Sequence, residues 1–222
     1  DVKNPVGTSI FHHFLVSAFI ILTLSNILPF GYSTESPRYT VLFSQPEYEI
    51  RLYKEISWMC AFLQGNSFQK STKDGFHRIY QYIQGANSNS SRLAITAPVL
   101  TSIRPSPNGT TGYRVKLFLI TNFGATPPQP SPELNLQIDK WRAKCVAVRK
   151  FPGFAMDDNV SKEAEALVTS LSKYFAGGNM TGLEDKRYTI AQYNASSHLV
   201  GRLNEVWVDV SAIVNIEGCP RP

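Results

Sequence analysis

Four side chains that could hold a flat or charged molecule follow one another at helical spacing. Lys73, Phe76, His77 and Tyr80 stand at positions i, i+3, i+4 and i+7, which places them on one connected strip of a helix surface. The strip offers an ammonium group, an imidazole and two aromatic rings. Plainer interpretations remain open. Phe76 also fits the apolar stripe that packs the helix against the core, Lys73 could be a solvated surface charge, and Tyr80 could be an amphipathic surface residue.

Catalytic chemistry finds little support in the sequence. It contains no H-E-x-x-H, G-x-S-x-G, G-x-G-x-x-G or Walker loop. Beyond residue 33 only His77 and His198 remain, which is too few for a multi-histidine metal site but enough for one general base. A nucleophile formed by Cys60 or Cys145 with either histidine stays open, although nothing local favours it. We therefore predict that the protein is not an enzyme.

The strip lies in the first of two similar units. Residues 47–63 alternate apolar and polar side chains, which predicts two strands that turn near Lys54 and Glu55. Apolar residues at helical spacing predict a helix over Phe68–Ala86, and two more strands are predicted at Arg92–Ile103 and Tyr113–Ile120.

The second unit repeats this order after a Pro-rich connector at residues 126–132. Its predicted elements are strands within Leu134–Arg149, a helix over Asp157–Ala176, and strands at Tyr188–Tyr193 and Leu203–Val210. The sequence thus predicts an α+β protein with two pseudo-symmetric strand–helix–strand–strand repeats, at about residues 39–122 and 133–210, followed by a short tail at 211–222. We expect a mixed sheet, helices on one side, and a groove where the repeats meet.

The first 33 residues are predicted to be a signal peptide. Phe14–Leu24 is uncharged and apolar but short for a membrane span, and Gly31 and Ser33 suit cleavage before Thr34. A retained anchor is the alternative. We expect the remaining domain, 34–222, to be secreted, extracellular or vacuolar, with no stable membrane insertion. Five sequons in polar stretches predict glycosylation: Asn89, Asn108, Asn159, Asn179 and Asn194.

Composition and cysteine count narrow the class further. The 222 residues include 43% hydrophobic and 18% charged residues, which excludes a disordered chain. The formal charge is +5, but Lys and Arg are scattered, so nucleic acid is not an expected partner. With three cysteines, one must stay unpaired. We predict a Cys145–Cys219 disulfide that holds the tail, and a buried apolar thiol at Cys60.

Seven segments, in order, resemble the SOUL/heme-binding protein family, most closely its secreted plant members. They cover most of the chain from Glu35 to Val210. The segments are E-S-P-R-Y-T-V-L (Glu35–Leu42), Y-E-I-R-L-Y (Tyr48–Tyr53), G-F-H-R-I-Y-Q-Y-I-Q-G-A-N (Gly75–Asn87), T-A-P-V-L-T (Thr96–Thr101), P-P-Q-P (Pro127–Pro130), V-R-K-F-P-G-F (Val148–Phe154) and N-E-V-W-V (Asn204–Val208).

This resemblance implies a distorted β-barrel of two repeats with two helices. It also implies reversible binding of heme or another tetrapyrrole, without known turnover. We expect a monomer that acts as a carrier or buffer and binds its ligand in a shallow apolar groove with a basic rim. By position the resemblance assigns two roles on the first helix: Lys73 is the cation that meets a carboxylate of the tetrapyrrole, and Phe76 is part of the apolar wall. His77 and Tyr80 lie beside them on the same helix. It adds His198, and Arg202 four residues on, in the loop before the last strand.

Two questions about this site stay open in the sequence. Some animal members carry a histidine directly after E-I-R as a proposed axial ligand, and this chain has Leu52 there. Iron would then be held by another residue, such as His77 or His198, or the tetrapyrrole would bind through its face and carboxylates alone. A module for another amphipathic small molecule, with incidental heme binding, is the alternative function.

Overall fold

The computed structural model describes residues 34–105, 109–120, 126–175, 187–194 and 200–221. These residues form nine strands and two α-helices, with one short 3₁₀ helix at Pro132–Leu134. The elements are β1 (Tyr39–Ser44), β2 (Glu49–Tyr53), β3 (Ile56–Gly65), α1 (Phe68–Ile83), β4 (Val99–Pro105), β5 (Thr111–Phe118), β6 (Leu136–Trp141), β7 (Lys144–Pro152), α2 (Val160–Tyr174), β8 (Tyr188–Gln192) and β9 (Leu203–Asp209). The predicted α+β class is confirmed, whereas the predicted signal peptide lies outside the described residues.

The strands form one curled sheet in the order β1-β2-β7-β9-β8-β4-β5-β3-β6. All eight pairings between these strands are antiparallel, where a mixed sheet was expected. The reason is that each helix joins two strands that are not neighbours. β5 lies between β3 and β4, and β9 lies between β7 and β8, so every adjacent pair runs in opposite directions.

The sheet also shows the expected two-fold repeat. β3-α1-β4-β5 and β7-α2-β8-β9 are the two units, and they meet where β4 pairs with β8. The strand before each unit pairs with the other unit, because β2 lies against β7 and β6 lies against β3. The two halves are therefore joined at the centre and by exchanged strands.

The first turn of helix α1 is capped by Ser67 and hydrogen-bonded to Asp157, which precedes α2. The Ser67 hydroxyl accepts a hydrogen bond from the backbone N–H of Lys70 at 3.1 Å, which caps the first turn. The Asp157 carboxylate accepts from the Ser67 hydroxyl at 2.7 Å and from the N–H of Phe68. The helix was predicted to reach Ala86 but ends at Ile83, because Gly85 takes a φ of +118° that stops it.

Buried apolar residues form three clusters. One joins α2 to the sheet, and a second joins α1 to β3 and β5. The third includes no residue of either helix and lies on the opposite side of the strands, hereafter the helix-free face. All three tryptophans of the chain, Trp58, Trp141 and Trp207, belong to this third cluster.

A disulfide attaches the C-terminal tail. Cys145 of β7 is bonded to Cys219, with Cα atoms 5.7 Å apart and a sequence separation of 74. Both cysteines lie in or against the α2 cluster. The third cysteine, Cys60, is a buried free thiol whose pKa burial raises to about 11. At neutral pH it is therefore a neutral apolar side chain.

Candidate functional site

Three of the predicted site residues share one open flank of α1. The helix buries Gly75 and Ile79 against the sheet, so Phe76 lies at the edge of the contact, half-buried against the α1 cluster. Tyr80 is 43% exposed, and its ring centroid is 6.1 Å from that of Phe76. Lys73 is exposed one turn before Phe76. This flank offers an aromatic surface with an ammonium group at its end.

His77 points away from the sheet. It is exposed and stands midway between the buried residues Gly75 and Ile79, so at 100° per residue it lies on the outer side of α1. An iron atom held there would leave most of an apolar ring in water. The structure therefore suits face-and-carboxylate binding at Phe76 and Tyr80 better than axial ligation by His77. His198 lies outside the described residues.

Arg202 is buried rather than placed at an open rim. Only 7% of it is exposed, its guanidinium lies 4.3 Å from the centre of the Phe154 ring, and it donates a hydrogen bond to the Asn194 carbonyl at 3.3 Å. These contacts fix the chain just before β9. Arg202 therefore serves the packing of this turn, which differs from the solvent-facing cation that the sequence suggested.

Leu52, which replaces the histidine of some animal relatives, packs against the α2 cluster and is half-buried. Its side chain thus faces the helical side of the sheet, near α2 rather than α1. An apolar residue suits this position, because a buried imidazole would need hydrogen-bond partners.

The described sequons differ in how free their side chains are. Asn89 is exposed at a turn. Asn159 precedes α2, accepts from the N–H of Met156 at 2.9 Å and donates to the Phe154 carbonyl at 2.8 Å. The side-chain oxygen of Asn194 accepts from the N–H of Leu203 at 2.7 Å. Asn89 is thus the most accessible of the three, and Asn108 and Asn179 lie outside the described residues.

A cavity of about 670 Å³ lies on the helix-free face and draws its walls from both repeats. Trp141, Trp207 and Val146 lie along its wall but are buried, and the Lys144 ammonium group lies 3.7 Å from the centre of the Trp141 ring. Seven cationic residues line it: Arg104, Lys116, Lys140, Arg142, Lys144, Arg187 and Arg221. Asp209 is the single acidic residue in this described lining, and none of the described candidates from the sequence analysis belongs to it.

Two carboxylates of the described residues form ion pairs with these cations. Lys116 pairs with Asp139, and Lys144 pairs with Asp209 at 3.3 Å. Burial lowers the pKa of Lys144, and Asp209 offsets part of that effect. Burial also lowers the pKa of Arg104, and the nearby cations Arg114 and Arg187 lower it further. Like charges are thus held close together along this wall.

The other half of the helix-free face is filled by a buried ion pair. Arg51, which is 1% exposed, lies 3.0 Å from one oxygen of the Glu205 carboxylate and 2.7 Å from a Glu49 oxygen. Glu205 also accepts from the Tyr193 hydroxyl at 2.9 Å and from the Trp207 Nε1 at 2.8 Å. Burial alone would lower the pKa of Arg51, but Glu205 raises it overall.

The cavity residues were missed because their charges are separated in sequence. One local signal exists, the segment D-K-W-R-A-K at residues 139–144, which places three cations around a tryptophan within the stretch predicted to form strands. Lys116 and Arg104 come from other strands, and only the sheet order brings them to the same wall.

Two further properties concern the described part of the chain. None of its helices has both the length and the apolar character that crossing a membrane requires. The same residues include no group of three or more His, Cys, Asp or Glu side chains arranged to hold a metal ion.

Comparison with known proteins adds sequence relatives and a shared fold. The family model described as SOUL heme-binding protein matches residues 34–209, which confirms the resemblance drawn from the seven segments. Heme-binding protein 2 of Homo sapiens is 29% identical over 163 residues, covering 72% of this chain and 77% of that protein. Heme-binding protein 1 of Xenopus laevis is 26% identical over 162 residues, covering 72% and 82%. The crystal structure of the EcmrR C-terminal domain, 10% identical with a TM-score of 0.51, covers 77% of this chain and 96% of that one, and shares the fold alone.

Proposed function

We propose, since this chain belongs to the SOUL heme-binding protein family, that it binds heme or a related tetrapyrrole reversibly and without catalysis, as a carrier or buffer. The observation that carries this proposal is the family match, which spans residues 34–209 and so includes both repeats. The names of the human and frog relatives support the same ligand class.

The open flank of α1 is the proposed contact surface. A tetrapyrrole has a large apolar face and two carboxylates, which require an aromatic or aliphatic wall and a cation beside it. Tyr80 and Phe76 provide the wall, and Lys73 provides the cation. Because Tyr80 and Lys73 are exposed and His77 points elsewhere, affinity should be modest and should depend little on iron.

Titration with hemin and with metal-free protoporphyrin, side by side, tests this proposal. We expect similar dissociation constants for the two, and a Tyr80→Ala/Lys73→Gln variant that binds both about fivefold to tenfold more weakly, since one aromatic contact contributes roughly 1 kcal/mol and an exposed ion pair less. Gln81→Ala, an exposed change elsewhere on α1, is the control. A sharp low-spin Soret band with hemin and no binding of protoporphyrin would contradict the face-and-carboxylate mode.

A second candidate function is binding of another amphipathic small molecule, with heme binding incidental. The cavity on the helix-free face favours it, because the described candidates for tetrapyrrole contact lie elsewhere. Competition separates the two: a physiological ligand should displace porphyrin and bind more tightly than it does. If porphyrin remains the tightest ligand recovered from the source, this second candidate fails.

We also propose that the protein travels the secretory pathway as a glycosylated monomer and has no nucleic-acid partner. The Cys145–Cys219 bond supports this route, because disulfides persist in oxidising compartments. Exposed Asn89 supports glycan attachment. Protein from its source should lose mass on treatment with an N-glycosidase and should lack residues 1–33. An unchanged mass, with the N-terminal segment present, would contradict the proposal.

A further inference from the structure

The cavity on the helix-free face has the dimensions and the walls of a ligand site. Its volume of about 670 Å³ falls within the range of about 300 to 1,000 Å³ that small-molecule sites occupy. Trp141 and Trp207 turn away from the helices on β6 and β9, but only 9% and 2% of them are exposed, and the Lys144 ammonium group lies 3.7 Å from the centre of the Trp141 ring. The indole rings are therefore covered, and exposed cations such as Arg104, Lys140 and Arg142 form the accessible wall.

The charge of the lining selects the kind of molecule. The described lining contains seven cations and the single carboxylate of Asp209, and Asp139 outside the lining pairs with Lys116. Arg104 lies near Arg114 and Arg187, which are cations as well. Bringing like charges together is unfavourable unless anions accompany them, so the wall favours a ligand with more than one negative group.

The C-terminal tail completes the cavity. Ser211, Ala212 and Ile213 line it, and so do Pro220 and Arg221, which follow the bonded Cys219. The disulfide thus holds two lining residues against a wall made by β6 and β7. A wall fixed by a covalent bond limits the entropy lost when a ligand binds.

From these observations we infer that the cavity is a binding site for organic polyanions, separate from the α1 flank. The ligand class carries two or more carboxylate, sulfonate or phosphate groups, which lie toward Arg104, Lys140 and Lys144. The inference stands whether or not the α1 flank binds a tetrapyrrole.

Pyrenetetrasulfonate, a flat aromatic polyanion with its own fluorescence, is a suitable probe, and neutral pyrenemethanol is its comparator. We expect the tetrasulfonate to bind the whole chain with a dissociation constant that increases with salt, and pyrenemethanol to bind much more weakly. An Arg104→Gln/Lys140→Gln variant should bind the tetrasulfonate about tenfold more weakly, since each partly exposed ionic contact contributes roughly a factor of three.

A matched variant separates a site from general charge. Lys54→Gln/Lys162→Gln removes the same two charges at exposed positions outside the cavity lining, and we expect its affinity for the probe to stay within about twofold of the parent protein. An equal loss in both double variants would mean general electrostatic attraction and would overturn the inference. A loss in Tyr80→Ala instead would assign the probe to the α1 flank and overturn it as well.

Discussion

Removing the disulfide should destabilise the whole domain. The bond between Cys145 and Cys219 closes a loop of 74 residues, and restricting the unfolded chain over that length corresponds to about 4.5 kcal/mol at 25 °C. We therefore expect Cys145→Ala/Cys219→Ala to lower the free energy of unfolding by up to about 4.5 kcal/mol. In a domain of this size the midpoint of thermal unfolding should fall by about 10 °C.

Tryptophan fluorescence in urea measures this loss directly. Trp58, Trp141 and Trp207 are all buried on the helix-free face, so their emission should shift to longer wavelength when the sheet unfolds. The same variant should bind pyrenetetrasulfonate more weakly, because Pro220 and Arg221 are no longer tethered to the cavity wall. The two readouts report the stability of the fold and the closure of the cavity separately.

Reductant provides the control for the disulfide. It should destabilise the parent protein and leave the double-alanine variant unchanged, since the remaining Cys60 is buried and has no disulfide. If the double-alanine variant lost less than about 1 kcal/mol of the free energy of unfolding, the reasoning would be refuted. It would mean that Val214, which packs in the α2 cluster, holds the tail without the covalent bond.

Three further substitutions address packing, the buried ion pair and acid stability. Gly75→Ala should lower the free energy of unfolding by about 1 to 2 kcal/mol in urea, because its new Cβ would lie 2.5 Å from the Val115 Cγ2 and overpacking outweighs the gain in helix propensity. Glu205→Gln should cost about 3 kcal/mol by the same measurement, because it leaves the buried Arg51 with less compensation. Burial alone would raise the pKa of Asp139, but the hydrogen bond and charge of Lys116 lower it overall. Its contribution is therefore present above the unfolded pKa of about 4 and is lost as pH falls through the lower folded value, so Asp139→Asn should flatten the decline of stability between about pH 5 and pH 2.

Each of these has an outcome that contradicts it. Unchanged stability of Gly75→Ala would mean that α1 can move away from Val115 without loss. A stable Glu205→Gln would mean that Glu49 alone compensates Arg51. An Asp139→Asn protein with the acid profile of the parent would show that the contact with Lys116 has no effect on folding, and Lys54→Gln serves as the neutral comparison for all three.

Local sequence patterns predicted the positions of the helices and strands more successfully than they predicted which strands pair. Helical spacing located both helices. The first was predicted to reach Ala86 and ends at Ile83 before Gly85, and the second was predicted over Asp157–Ala176 and spans Val160–Tyr174. The strand predicted from Arg92 begins at Val99. Pro98, which has no N–H to donate to a ladder, precedes it.

Long-range pairing could not be read in the same way. The alternation in Glu49–Tyr53 predicts a strand whose residues face two sides, but it contains nothing that selects β7 of the other repeat as its neighbour. The burial of Arg51 follows from that pairing and from Glu205, which lies 154 residues away in sequence. For the same reason the cavity was not anticipated, because its cations come from β4, β5, β6, the β6–β7 turn, β7, the residue before β8 and the tail.

The exchanged strands explain why two similar repeats produce one cavity. β2 and β6 each lead into a repeat and each pair with the opposite one. Beside β2 the sheet continues to β1, whose Tyr39 ring lies 4.2 Å from the Arg51 guanidinium, and Glu205 compensates the charge. β6 is the edge of the nine-stranded sheet, and the cations near Trp141 outnumber the carboxylates there. The region beside β2 is thus neutralised by an internal ion pair, whereas the region beside β6 remains basic. An anionic ligand would neutralise the cations beside β6 as Glu205 neutralises Arg51 beside β2.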